Sequence, residues 1–371
     1  MKIGILTQPL INNYGGILQN YALQSVIKGM SHTPITLNFA HQSLKISPLH
    51  LAASITKRII RRYLLGKDQK YINPYKEDKD VFTVAPEQVR FINSFISKVD
   101  IYNALTQQDE IVSNFDAFIV GSDQVWRPIY SPNIRNFFLD FVPNGKGKIA
   151  YAASFGTDRW EFSDTLTKDA QQLLVDFDGI SVREESGVQL CKENLNCNAI
   201  HVLDPTLLLK ARDYINNLSL DNLPYEIGIS TYILDNDSSK WSAIANISKE
   251  YNIGVNKLGN SQNGRLQSIE HWLNDIQHSR FVITDSFHGT VFSIIFHKQF
   301  ATFYNPQRGN SRMMSLLKSL GLENHLVGTD NVRAALTQDI DWDDVEDKLN
   351  KMRFKSLSFL HNSLNGIRFN S

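Results

Sequence analysis

Short apolar runs of β-forming residues alternate with longer stretches of helical periodicity along most of this chain. That alternation predicts parallel strands joined by right-handed helical crossovers, since parallel neighbours cannot be linked by a tight turn. The N-terminus sets the pattern. Lys2 to Thr7 predicts a strand and Gln8 to Gly15 a polar, turn-rich loop; Leu18, Ala22 and Val26 then recur at helical spacing with Tyr21 alongside. Further strands are expected at 35–39, 117–120, 148–153, 179–182 and 201–203. After Asp204 and Pro205 the pattern loosens through KARDYINNLSLDNLPYE, which is polar, rich in turn signals and without a long period. A second series of strands is expected at 226–232, 252–258, 280–284 and 301–304. A chain of 371 residues exceeds what one core usually serves. The reading is α/β, with a Rossmann-like domain over residues 1–205, a second over 206–340, and a C-terminal amphipathic helix in 341–371 that can pack back across the junction.

Lys plus Arg and Asp plus Glu both number 38, so there is no bulk attraction to nucleic acid and no nucleic-acid partner is expected. Cys191 and Cys197, in CKENLNC, match neither a common zinc pair nor a disulfide framework and read as reduced structural thiols. The N-terminal MKIGILTQPL reaches a polar loop too soon for a signal peptide, and no apolar run approaches the roughly 20 residues of a spanning helix. A cytoplasmic protein is expected. One stretch departs from the neutral average: residues 51–67, LAASITKRIIRRYLLGK, carry Lys57, Arg58, Arg61, Arg62 and Lys67 and no acidic residue. They read either as a solvated surface helix or as a peripheral contact with an anionic membrane face, Ile59, Ile60, Leu64 and Leu65 entering the interface.

In open parallel sheets ligands bind beyond the carboxyl ends of the strands, so the loops there hold the candidates. QPLINNYGG presents Asn13, Tyr14 and Gly15 before a helix, where glycine lets backbone approach a ligand. GSDQVWRP offers Asp123 as acceptor, Gln124 as amide and Trp126 as a flat apolar face suited to a sugar, or it simply caps a helix. In SVREESG, Arg183 ends a strand and either clamps a phosphate or carboxylate or pairs with a neighbouring glutamate. FVITDSFHGTVFSIIFHK is the most specific, an apolar strand and an apolar helix with Ser286 and His288 at the corner, where imidazole can donate to an anion or move a proton. NPQRGNSR follows with Arg308, Asn310 and Arg312 around Gly309, in the manner of an anion cradle. No cluster carries metal-ligand spacing, and no metal is expected.

Taken in order, NNYGGILQNYALQ, FDAFIVGSDQVW, YAASFG, SVREESG, VLDPTLLL, TDSFHGT and NPQRGNSR resemble the polysaccharide pyruvyl transferases, from residue 1 to about 325. The resemblance implies a glycosyltransferase-B-like architecture of two Rossmann-like domains facing a cleft. It also implies a phosphoenolpyruvate donor, a saccharide acceptor, free or lipid-linked, and a pyruvate ketal made in surface polysaccharide biosynthesis, with no cofactor beyond the phosphoenolpyruvate co-substrate. The family's histidine before a glycine falls on His288 and its strand-end arginine on Arg183. Many members carry arginine and leucine before that histidine, where this chain has Ser286 and Phe287, and Arg308 or Arg312 is then the expected source of replacement charge. On this reading His288 is proton donor or phosphate ligand and Asp123 the acceptor-side base. Arg183, Ser286, Arg308, Asn310 and Arg312 bind the donor, and Asn13, Tyr14, Gly15, Gln124 and Trp126 bind the acceptor. The alternatives on the same architecture are a nucleotide-sugar glycosyltransferase and, from Ser286, a non-catalytic saccharide-binding relative.

Overall fold

The structure, a computed structural model, describes residues 1–40, 48–60, 73, 83–131, 133–220, 227–235, 237–259, 266–305 and 310–367. Seven strands, β1 (Lys2–Leu6), β2 (Thr33–Phe39), β3 (Lys98–Ile101), β4 (Ala117–Val120), β5 (Gly147–Ala153), β6 (Gly179–Val182) and β7 (Ile200–His201), form a first sheet in the order β3-β2-β1-β4-β5-β6-β7. Five more, β8 (Ile227–Tyr232), β9 (Val255–Lys257), β10 (Ser279–Thr284), β11 (Gln299–Phe303) and β12 (Leu326–Val327), form a second in the order β12-β11-β10-β8-β9. Every pairing is parallel. The central strands β4 and β5 are buried along their whole length, which is why AFIV and GKIAYAA read as near-continuous runs rather than alternating ones.

The strand orders explain where a ligand can sit. In the first sheet the winding reverses between β1 and β4, and in the second between β8 and β10. At such a switch point the loops leaving two adjacent strands diverge and leave a crevice. The two crevices face each other across one cleft, and behind it the domains share a single apolar core in which Tyr14 and Tyr214 meet Trp272 and Phe292.

Two strands, β3 and β12, fall outside those expected from the sequence. Both lie at sheet edges and are short, so neither KVDI nor LV carries the apolar signature of a central strand. The C-terminal helix Trp342–Asn365 runs back onto the first sheet. Arg353 Nε donates to Leu207 O at 2.7 Å, and Leu203 N donates to Ser356 Oγ at 3.0 Å. Gly179 admits the helix closely, for a Cβ there would lie 2.2 Å from Ser363 Oγ. The basic stretch begins as a helix, Pro48–Ile59, with Ile59 and Ile60 exposed; Arg61, Arg62, Leu64, Leu65 and Lys67 lie outside the described residues, as does Arg308. Among the described residues no helix is long and apolar enough to cross a membrane.

Candidate functional site

A cavity of about 310 Å³ occupies the cleft, walled by Asn12, Asn13, Gly15, Asp123 and Gln124 from the first domain and by Tyr232, Asp285 to His288, Asn305 and Arg312 from the second. Its second-domain wall is the start of the helix Phe287–Ile295. Ser286 is the N-cap, its Oγ accepting from Gly289 N at 3.4 Å. Helix and strand approach so closely here that a Cβ on Gly289 would lie 2.3 Å from Thr284 Oγ1, which accounts for the glycine after the histidine. Asp285 is fully engaged behind the cap. Its carboxylate takes Leu234 N at 2.7 Å, Asp235 N at 3.3 Å and Lys240 Nζ at 2.8 Å, pinning the loop that leaves β8.

Deeper in the seam, buried charges gather around Asp204. Arg183 Nη1 donates to Asp204 Oδ2 at 2.7 Å and Arg183 Nη2 to Asp123 Oδ1 at 3.4 Å. Ser122 Oγ donates to Asp204 Oδ2 at 3.2 Å, and Thr206 donates through N at 3.0 Å and Oγ at 2.6 Å to Oδ1. His288 Nε2 lies 3.8 Å from the same Oδ2, too far for a hydrogen bond but close enough for charge attraction, and among the described residues it has no hydrogen-bond partner although buried. Burial alone would raise the Asp204 carboxyl, but His288, Arg183 and Thr206 outweigh it and hold it well below the ordinary range. Arg183 is held above its usual value: burial opposes the charge, and Asp204, Asp123 and Glu184 overcome it. For Glu184 burial wins and its carboxyl is raised, despite Arg183, Arg312 and hydrogen bonds from Ser154 Oγ at 2.9 Å and Phe155 N at 3.0 Å.

Arg312 is pushed down to about 10, first by burial and then by the neighbouring charge of Arg183, with Asp123, Glu184 and Asp204 opposing. It therefore remains charged at neutral pH. Phe287 presents its ring to both guanidiniums, 4.9 Å from Arg183 and 5.6 Å from Arg312.

The structure thus gathers Asn13, Gly15, Asp123, Gln124, Ser286, His288 and Arg312 on one cavity wall or another, with Arg183 directly behind. Trp126 does not join them. It is buried, stacked on Phe138 at 5.1 Å with its Nε1 donating to Phe137 O at 2.9 Å, because the loop after β4 folds its largest apolar side chain into the core. Tyr14 is an interdomain strut: its ring stacks on Trp272 at 5.4 Å and its hydroxyl donates to Gln267 O at 2.5 Å, burial pushing the phenol up. Asn310 Oδ1 accepts from Asn305 N at 2.7 Å, so it shapes the wall rather than lining it. Of the two sequence readings of Arg183, an anion clamp or an ion pair with a neighbouring glutamate, the second is modified: its ion pairs are with Asp204 and Asp123. Asp204, Asp285 and Asn305 went unassigned in the sequence although each lies within a recognised motif, VLDPTLLL, TDSFHGT and NPQRGNSR. Among the described residues no cluster of three or more His, Cys, Asp or Glu is arranged to hold a metal.

A family profile described as polysaccharide pyruvyl transferase matches residues 13–307. No curated protein matches the chain in sequence. Among solved structures, the Staphylococcus aureus MnaA complex with UDP superposes with a TM-score of 0.52 at 12% identity, over 99% of this chain and 97% of that one. The UDP-GlcNAc 2-epimerase of Neisseria meningitidis, bound to UDP-GlcNAc, gives 0.52 at 10% identity over 98% and 100%. That of Rickettsia bellii gives 0.50 at 11% over 98% and 96%. At such identities the likeness concerns the fold, a glycosyltransferase-B-like pair of Rossmann-like domains facing a cleft.

Proposed function

Because the chain belongs to the polysaccharide pyruvyl transferase family, whose members are transferases of polysaccharide biosynthesis, we propose that it moves the pyruvyl group of phosphoenolpyruvate onto a saccharide and closes a pyruvate ketal. The observation that carries this reading is the meeting of a cleft-lining histidine with two buried arginines and two carboxylates at the start of one helix. Phosphoenolpyruvate reacts when its methylene carbon is protonated and its central carbon becomes an oxocarbenium-like centre. A sugar hydroxyl adds there, and a second hydroxyl displaces phosphate. Such chemistry needs an acid, a base and cations for a carboxylate and a phosphate.

In this reading His288 is the acid, Asp123 takes the proton of the attacking hydroxyl, and Arg312 with Arg183 binds the donor's anionic groups. The first-turn amides after Ser286 add to the same anion site. Asn13 and Gln124, on the opposite wall, suit the acceptor's hydroxyls. Incubation of the purified protein with phosphoenolpyruvate and a panel of free and lipid-linked saccharides tests this. One inorganic phosphate should be released for each saccharide that gains the mass of pyruvate less water. Transfer from nucleotide sugars, with none from phosphoenolpyruvate, would replace the reading with that of a glycosyltransferase.

A further inference from the structure

His288 and Asp204 belong to different domains and meet only in the seam. The Asp204 carboxylate is held without the histidine, since both Thr206 donors bond Oδ1 and Arg183 and Ser122 bond Oδ2. What remains open at Oδ2 faces His288 Nε2 across 3.8 Å. That nitrogen is buried without a hydrogen-bond partner among the described residues, an uncommon state for a polar atom in a folded interior. The other ring nitrogen, Nδ1, lies against Gly15, where a Cβ would come within 1.9 Å of it. That Cβ would stand 2.4 Å from Cγ and 2.5 Å from Cε1 as well, which puts Gly15 over the ring face at Nδ1; with Nε2 directed at a fixed carboxylate, Nδ1 is the ring nitrogen left to meet a ligand in the cavity that His288 lines.

We infer that Asp204 is the positioning residue for His288, facing the Nε2–H edge so that Nδ1 delivers the proton to a donor in the cavity. The inference rests on the reading of His288 as acid and adds the group that acts through it. The Nδ1–H bond breaks as the π pair of the phosphoenolpyruvate double bond takes the proton at the methylene carbon. The central carbon then accepts the hydroxyl oxygen, whose proton goes to Asp123. When phosphate leaves and the second hydroxyl closes the ketal, the proton of that hydroxyl returns to Nδ1. Asp204 sets a negative charge 3.8 Å from Nε2 and keeps the ring aimed throughout, as the carboxylate behind a catalytic histidine does elsewhere. The other charged groups around the ring are Arg183 and Arg312 on the Phe287 side, Asp123 beyond Arg183, and Glu184 behind them. Asp285, on the histidine's own loop, is occupied by Lys240.

Nitrogen-15 NMR of the wild-type protein, with the His288 signal identified by its loss in His288→Gln, tests the arrangement without any substrate. The neutral ring should carry its proton on Nε2, and a proton on Nδ1 would overturn the inference. In turnover, Asp204→Asn should lower kcat by about a hundredfold or more, the scale of a disabled general acid. It should also move the pH optimum of kcat downward, with partial recovery in Asp204→Glu. A fall in kcat with an unmoved pH profile would reduce Asp204 to a structural partner of Arg183. If neither Asp204 variant folds, Thr206→Val, which keeps both charges, should give a smaller fall with the same direction of pH shift, and an unmoved profile there overturns the inference equally. A protein that passes the NMR test but fails to use phosphoenolpyruvate refutes the proposed reaction and leaves the Asp204–His288 arrangement standing.

Discussion

At Gly15 a hydrogen in place of a methyl group decides whether His288 keeps its position, because an added Cβ would fall 1.9 Å from Nδ1. Alanine otherwise favours a helix by about 1 kcal/mol over glycine, so Gly15→Ala should leave thermal stability nearly unchanged while displacing the ring. Turnover should fall about a hundredfold, and in a His288→Ala background the same change should cost nothing more, since both remove one function. Full additivity of the two losses would separate Gly15 from the histidine. Arg312→Lys keeps the charge but loses the fork and the flat stacking surface on Phe287, so phosphoenolpyruvate affinity measured by calorimetry should drop about tenfold. Unchanged affinity would remove Arg312 from the donor site. Residue type made candidates of His288, Asp123, Arg183 and Arg312, each in a loop beyond a strand or in the first turn of the helix that follows, and the structure brings them to one cleft. Residue type misplaced Trp126 and Tyr14, because an aromatic ring in such a loop serves a sugar or a core equally well and only the third dimension separates the two. Asp204 escaped notice because, Thr206 apart, its partners come from residues 122, 183 and 288, three segments remote from it in sequence.

The helix Phe287–Ile295 is the element on which the site depends, and its start is set by one hydroxyl. Ser286 Oγ accepts from Gly289 N and so aligns the first turn that carries His288. Ser286→Ala should cost about 1 kcal/mol in urea denaturation, while Ser286→Thr, which retains the capping oxygen, should cost less. Equal stability of the alanine variant and the wild type would show that burial alone fixes the turn. Central elements were legible because burial on both sheet faces leaves an unbroken apolar run, as in β4, β5 and β10. The edge strands β3 and β12 have no such signature. The amphipathic pattern of Trp342–Asn365 announced a helix with one buried face, but its docking rests on fitted contacts such as Ser363 against Gly179, which no periodicity encodes.

Across the whole molecule the cleft follows from strand order, whereas the seam behind it follows from pairings made over long stretches of chain. Tyr14 reaches Trp272, Arg90 reaches Glu270 at 2.7 Å, and Glu185 N donates to Ser315 Oγ at 3.2 Å. Asp204 stands in that seam with its carboxyl held below the ordinary range, and the sign of its effect on stability follows. A carboxyl whose folded value is depressed contributes fully above its unfolded value near 4, and the contribution is lost as pH falls toward the folded value. Glu184, raised by burial, acts in the opposite sense, so the wild-type acid curve alone mixes the two. The difference between wild type and Asp204→Asn isolates the first. At pH 7 the variant should be less stable by about 3–5 kcal/mol, the cost of leaving buried Arg183 without its main partner. Urea denaturation repeated at successively lower pH should show that gap narrowing once pH drops below about 4, as the carboxyl takes up its proton in the unfolded wild-type chain while staying ionised in the folded one. A gap that stays constant from neutral pH into acid would mean that Asp204 is not held as an ion in the folded seam.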